Sequence, residues 1–556
     1  MGRWLLAALL VCSASAAPVL RFDNTALYVS VGVGQNASVQ TLQAYNIGGG
    51  TLSLSISVPP DAPWITAVAG SPQPCPQSVA SATCIPLQLT LATSMLTAGN
   101  YSAQVTVSDP TAIDAPQVIV VVVQIGRAID TWISPGATMD FPLFTYTPIF
   151  CQFKSPGCPT ATAATQDGGM WLSIALTTIG SSGAPHSYVV RLAPPATMPD
   201  GAYTGSVTVT NSGNDGTSPV TMRVANPRQP IAVPSTKRIS VRLAQGGPAT
   251  TYPFLPSISF TNSGKGMLQI QSVTASGTGV SAYLYEDLAI ITLDPGPLAP
   301  GLYDDGVITI QCNAVNCPIQ IPVKLDIVAQ GPPLINYQGV ADNATFDAWR
   351  SVAPGDVAIV TGEQLSLEAP VIAQTFPLPT MLGGSQVLVN GVPAPLYYSS
   401  FGQIAFQVPS ATAVGTALVQ VERDGVPGNT VTVSIVPVAP QILVVTDATY
   451  NLINAQHPAK AGDTVILWSI GLGATNPPVP DGVPAPFDPL AVAVTTARVS
   501  STVGPLEPTF AGLSPGYVGL YQVNVQLPFS TPQGSLLLSL DVPDYNGSFG
   551  VTIPVQ

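Results

Sequence analysis

Three patterns in this chain carry residue types that could do chemistry, and each fails on the physical requirements of that chemistry. Gly512-Leu513-Ser514-Pro515-Gly516 matches the G-x-S-x-G elbow of a serine hydrolase. The residue after the nucleophile must lend its backbone N–H to the oxyanion, and Pro515 has none. The histidines are His186 and His457, so no His follows the serine in hydrolase order. Gly32-Val33-Gly34-Gln35-Asn36-Ala37 imitates a dinucleotide fingerprint, which works by aiming a helix N-terminus at a pyrophosphate. "SVQTLQAYN" follows it, which is no capped helix, and a hairpin turn is the expectation. Two isolated histidines make no metal cluster, and Glu286-Asp287 and Asp304-Asp305 lack the alternating oxygen spacing of a calcium loop. No catalytic residue, cofactor site or metal site is therefore expected. A carboxylate pair for glycoside hydrolysis is defined by spatial separation, and nothing in the sequence marks one.

Binding residues are easier to nominate. "PLYYSSFGQ" gathers Tyr397, Tyr398 and Phe401 beside a turn, in a chain with only 7% aromatic residues. That cluster is a candidate platform for a sugar ring, with hairpin packing as its rival. Trp64, Trp171 and Trp468 lie in alternating apolar stretches and read as core. Six cysteines fall into close pairs: Cys75 with Cys84, Cys151 with Cys158, and Cys312 with Cys317. Disulfides are the expectation for an exported chain, one clip in each of three stretches. Zinc is the rival reading, without a C-x-x-C spacing or a neighbouring His to support it.

The elements that must hold these residues are strands. Gly 50 and Pro 57 in 556 residues, with abundant Val, Thr and Ile, make a composition of short strands and tight turns. Only 8% of residues are charged where about 25% is usual, and the net charge is −13. Nucleic acid is excluded as a partner, because phosphates demand clustered Lys and Arg. Arg3, the apolar run Trp4 to Cys12 and Ala14-Ser15-Ala16 read as a signal peptide over 1–16, so the mature chain is expected outside the cytoplasm, extracellular, periplasmic or on the cell surface. No stretch reaches the roughly 20 apolar residues of a membrane-spanning helix.

Repeats set the domain count. "LTAGNYSAQVTV", "MPDGAYTGSVTV" and "LAPGLYDDGVITI" share a Gly-x-Tyr turn into an alternating strand at Tyr101, Tyr203 and Tyr303. Asn-x-Gly-x-Gly turns precede the first and third, around Asn46 and Asn262. Nearer the C-terminus the chain repeats a different phrase, Gln403 to Pro409 and Gln522 to Pro528, each preceded by an echo, "APGDVAIV" and "KAGDTVIL". The reading is all-β: tandem immunoglobulin-like β-sandwiches, about five modules in an elongated array, at 17–126, 127–230, 231–330, 334–438 and 439–556.

The stretch from "NATFDAWRSVAPGDVAIVTGEQL" through "FGQIAFQVP" to "AGLSPGYVGLYQVNVQLP" resembles the uncharacterised C-terminal domain family of acidobacterial secreted proteins, whose modules resemble IPT/TIG-type immunoglobulin folds. Ala405 departs from that family's usual Asn, which the second copy keeps as Asn524. The N-terminal repeats resemble BACON-type bacterial immunoglobulin-like domains, an association that implies carbohydrate. The resemblance carries no activity. The functional expectation is a secreted, non-enzymatic binding or adhesion protein, with a polysaccharide or a cell-surface protein as partner. A structural spacer is the alternative, and a secreted hydrolase would need a catalytic domain the sequence does not show.

Overall fold

The computed structural model describes residues 17–143, 160–178 and 186–556, apart from 33, 61, 78, 80, 97–98, 126–128, 212–213, 225–229, 250–256, 347–349, 543–546 and 549. The leader 1–16 and the Cys151/Cys158 pair lie outside the described residues. Among the described residues every regular element is a strand, and no helix is long and apolar enough to cross a membrane. The described residues form five large apolar cores, spanning Leu20 to Ile125, Ile129 to Val224, Ile239 to Ile327, Ile335 to Ile435 and Val438 to Val555. A tandem array of β-sandwiches is what the alternating strands build.

The Gly-x-Tyr repeat opens the same strand in three modules, at Gly99–Ser108, Gly201–Asn211 and Gly301–Cys312. Its tyrosine hydroxyl donates to a carbonyl four residues upstream, Tyr203 to Pro199 and Tyr303 to Ala299, each at 3.0 Å. This is a tyrosine corner, which ties the entering loop to the strand. In modules one and two the same ring meets a tryptophan edge-on, Tyr101 with Trp64 at 6.3 Å and Tyr203 with Trp171 at 6.4 Å. Trp64 and Trp171 are core, 8% and 1% exposed, as their strands suggest.

The Asn-x-Gly-x-Gly turns are clips to the first strand of their module. Asn46 Oδ1 accepts from the N–H groups of Val19 and Gly48, and Asn262 Oδ1 accepts from Ile231 and Gly264. Gly48 has no alternative: a Cβ there would meet the Ala17 carbonyl at 2.3 Å. Early and last strands then pair in parallel in each module, Ala26–Val31 with Gln117–Ile125, Ile129–Ile133 with Asn214–Val224, and Ile239–Ala244 with Ile319–Val328. Among the described residues two disulfides are formed, Cys75–Cys84 and Cys312–Cys317, the second across the turn between Gly301–Cys312 and Ile319–Val328.

The C-terminal phrases turn out to be partners of their own echoes. Gln407 Nε2 donates to the Gly355 carbonyl, and in the next module Gln526 Nε2 donates to the Gly462 carbonyl, both at 3.3 Å. Backbone bonds close beside them, Val408 N–H to Asp356 and Leu527 N–H to Asp463, both at 2.8 Å. The array is more than a string of neighbours. Module one also touches module four: Tyr337 caps the first core, its hydroxyl accepting from the Phe22 N–H. Arg21 bridges the buried Asp114 at 2.5 Å and the Thr432 hydroxyl at 2.7 Å.

Asp356 sits fully buried beside the module four to five junction, where burial, then the nearby Asp342 charge, raises its carboxyl well above the usual range. Unfolded, the group loses its proton near pH ~4; folded, it keeps that proton to a higher pH. Across that window the native state binds more protons, so raising the pH removes stability. Asp356→Asn keeps the acceptor for the Val357 N–H and cannot ionise. Thermal melts should show little difference from the parent below about pH 4 and a growing advantage for the variant towards pH 7. An advantage that shrinks with pH would overturn this reading.

Candidate functional site

Two large clefts compete for a functional role. The first, about 790 Å³, lies where modules one, three and four converge. Its charged groups satisfy one another: Arg242 holds Asp326 at 2.6 Å and Glu363 at 3.0 Å. The Lys324 ammonium lies 3.0 Å from the Tyr101 ring centroid, and burial pulls its pKa down to about 8. Trp64 and Tyr101 face it with their edges buried in module one. Its polar chemistry is occupied in joining modules.

The second cleft, about 740 Å³, is an open trough on module five. Its floor is the outward face of one sheet. Val465 and Leu467 of Thr464–Ile470, with Val523 and Val525 of Tyr521–Gln526, point into the core. Alternation sends Trp468, Gln522 and Asn524 the other way. Trp468 stands opposite Gln522, and Asn524 opposite Phe510 of the next strand, Phe510–Leu513. On the far side Thr446, from Gln441–Asp447, accepts from the Trp468 indole N–H at 3.0 Å. Gln522 Nε2 donates to Asn524 Oδ1 at 3.0 Å, which aligns the two amides between the aromatic rings.

Loops raise the walls. Tyr450 leans on Trp468, ring centroids 5.9 Å apart, and Phe487 and Tyr517 stand on the opposite loops. Tyr450, Phe487 and Tyr517 are 66%, 78% and 56% exposed. Phe487 rests over Gly516, and Ala485 and Tyr517 join through the backbone at 2.9 Å. Tyr450 is held at φ 69°, a left-handed conformation costly for a bulky residue. Asp447 imposes it. That carboxylate accepts from His457 Nε2 and from the Thr449 hydroxyl and N–H, each at 2.8 Å, and from the Asn451 N–H at 3.0 Å. These bonds, His457 first, hold its carboxyl well below the usual range.

The residues nominated from sequence fall elsewhere. Tyr397, Tyr398 and Phe401 are half-buried and face different neighbours. A β-bulge between Leu396 and Tyr398 turns both tyrosines onto Ala341, Ile359 and Ala405. The Tyr397 hydroxyl donates to the Val518 carbonyl of module five, and burial raises its pKa. Tyr398 and Phe401 line a 190 Å³ cavity against module three. Trp468, expected in the core, is half-buried on the opposite face; Val465 to Trp468 are all apolar, so the sequence pattern does not choose its face. Ser514 is buried to 3% exposure and lines the trough, while the His457 ring is engaged by Asp447. Among the described residues no group of three or more His, Cys, Asp or Glu converges as metal ligands would.

No protein-family model matches this chain, and no curated protein does. Among solved structures it is similar to Drosophila N-cadherin EC1–4, at 11% identity over 74% of this chain and 98% of that one, with a TM-score of 0.20. The protocadherin gamma B4 extracellular domain matches at 11% identity over 97% of this chain and 84% of that one, TM-score 0.15. An endo-fucoidan hydrolase from glycoside hydrolase family 107 matches at 10% identity over 56% of this chain, TM-score 0.16, and the chain spans only 45% of that protein's length. Likenesses this low assign this chain no activity, and the fold reading above stands on its strand pairing.

Asp447→Ala removes the carboxylate that accepts from Thr449, Asn451 and His457 around Tyr450. Hydrogen exchange followed by mass spectrometry should speed up over 448–457 and stay unchanged across Thr464–Ile470. Unchanged exchange in the loop would show that Asp447 does not position Tyr450.

Proposed function

We propose that this chain is a secreted, non-enzymatic binding protein whose fifth module recognises carbohydrate in the aromatic trough. The observation that carries the reading is convergence: Tyr450, Trp468, Phe487, Phe510 and Tyr517 meet around Gln522 and Asn524, in a chain with 7% aromatic residues. A sugar ring offers an apolar C–H face for stacking and hydroxyls around its rim, and the trough offers rings with amides between them. Export is supported by the leader-like sequence 1–16 and by two disulfides, which persist in oxidising compartments. Modules one to four then act as the scaffold that presents the fifth, and attachment to a glycan-bearing surface is the adhesion this supports.

Affinity electrophoresis of the full chain in gels loaded with soluble polysaccharides tests the proposal. At least one polymer should retard the parent, and Phe487→Ala with Tyr517→Ala should remove most of the retardation while leaving the thermal melt unchanged. Each lost ring is expected to cost about 0.5–1.5 kcal/mol, by analogy with aromatic pairs. Prolonged incubation should release no new reducing ends. If polysaccharides and cell-wall preparations all leave the chain unretarded, a spacer remains.

A further inference from the structure

Resting on the assignment of the trough to carbohydrate, we infer that its ligand is an uncharged glycan, held across several sugar units, and not a sulfated or uronic-acid polymer. Among the described residues lining the trough, none carries a charge. Anionic sugars are recognised by paired cations, above all the planar fork of arginine. Between 439 and 556 the Lys and Arg residues are Lys460 and Arg498, and neither lines the trough. The charges nearest in sequence to its rings are acids: Asp447 ahead of Tyr450, Asp488 beside Phe487 and Glu507 before Phe510. A polyanion entering there would shed water from its charges without gaining a counter-charge, against a chain of net charge −13.

The extent of the ligand follows from the floor. From the Thr446 strand through those of Trp468 and Gln522 to that of Phe510 are three inter-strand steps. At about 4.8 Å each the floor is roughly 14 Å wide, more than one sugar ring. Rings stand on loops at opposite strand ends, Tyr450 after Gln441–Asp447 and Tyr517 between Phe510–Leu513 and Tyr521–Gln526, with Phe487 over Gly516. Gln522 and Asn524 lie between them and supply neutral donors and acceptors.

The test uses the full chain and matched polymers. Neutral glucan, mannan, galactan and xylan are compared with sulfated and carboxymethylated derivatives of whichever backbone retards the protein, and with a natural sulfated fucan and a polyuronate. A neutral polymer should bind, with its sulfated derivative weaker by about tenfold or more. Neutral binding should be unchanged from low salt to about 0.5 M, because no ion pair is there to be screened. A single neutral sugar should bind at least about tenfold more weakly than an oligomer, by the loss of the rings at one end. Gln522→Lys should narrow the gap between neutral and sulfated forms. Retention by anionic polymers alone, or binding that collapses with salt, would overturn the inference and leave the carbohydrate assignment standing. Binding to no glycan, neutral or charged, would overturn both.

Discussion

One hydrogen-bonded corner, built twice, sets everything that modules four and five do. In each, a Gly-Asp turn receives the last glutamine of the Gln-rich strand, Gly355 from Gln407 and Gly462 from Gln526. The bond locks where that strand begins to pair with the strand leaving the turn, Gln407 opposite Val357 and Gln526 opposite Thr464. Register matters because side chains alternate with period two, so a slip of one residue exchanges core and surface along the whole strand. With the corner in place, Val523 and Val525 fall inside, and Gln522 and Asn524 fall on the trough. The bond itself is long and modest. Its leverage comes from the valines and leucines it commits to the core, each worth about 1.5–3 kcal/mol on burial.

The same corner produces opposite outcomes in the two copies. Tyr398 stands opposite Ala405 where Phe510 stands opposite Asn524, and Thr361 opposite Gln403 where Trp468 stands opposite Gln522. In module four that face is sealed: Ala405 packs with Ala341 and Ile359 under two tyrosines, and Tyr397 reaches across to module five. An asparagine at 405 would bury an amide there, at a cost of about 1–3 kcal/mol without partners. In module five nothing among the described residues covers the face, and Asn524 keeps its amide on an accessible floor. The one apolar-to-polar difference between the repeated phrases, Ala405 against Asn524, thus marks which copy joins modules and which is left open.

Much of the architecture was legible because its signals are local. Gly-x-Tyr spacing marks the same kind of strand in three places, and the structure supplies the reason in the tyrosine corners of Tyr203 and Tyr303. Cys312 and Cys317 stand at the two ends of a four-residue turn, which brings their sulfurs together. The site was illegible for the opposite reason. Its rings come from positions 450, 468, 487, 510 and 517, which no window of sequence brings together. Contiguity misled at "PLYYSSFGQ", where a bulge and two different neighbouring modules separate side chains that lie four residues apart. Contacts between modules one and four, such as Phe22 with Tyr337, are equally invisible in a sequence whose repeats speak only of neighbours.

Exposure alone would not single out the trough. Met170 and Phe529 are more exposed than any of its rings, and scattered apolar side chains are ordinary on a protein surface. Two features separate the trough from that background. Its rings converge on one face, and their polar neighbours are uncharged amides aligned by a mutual hydrogen bond. Burial of Tyr450 does not repay the left-handed conformation that Asp447 holds there, since two-thirds of the residue faces solvent. The same device recurs in module four, where the Asp342 carboxylate closes the turn before Phe346, held at φ 58° and 56% exposed, so the carboxylate-closed turn belongs to the repeat and the convergence of rings is what sets the trough apart.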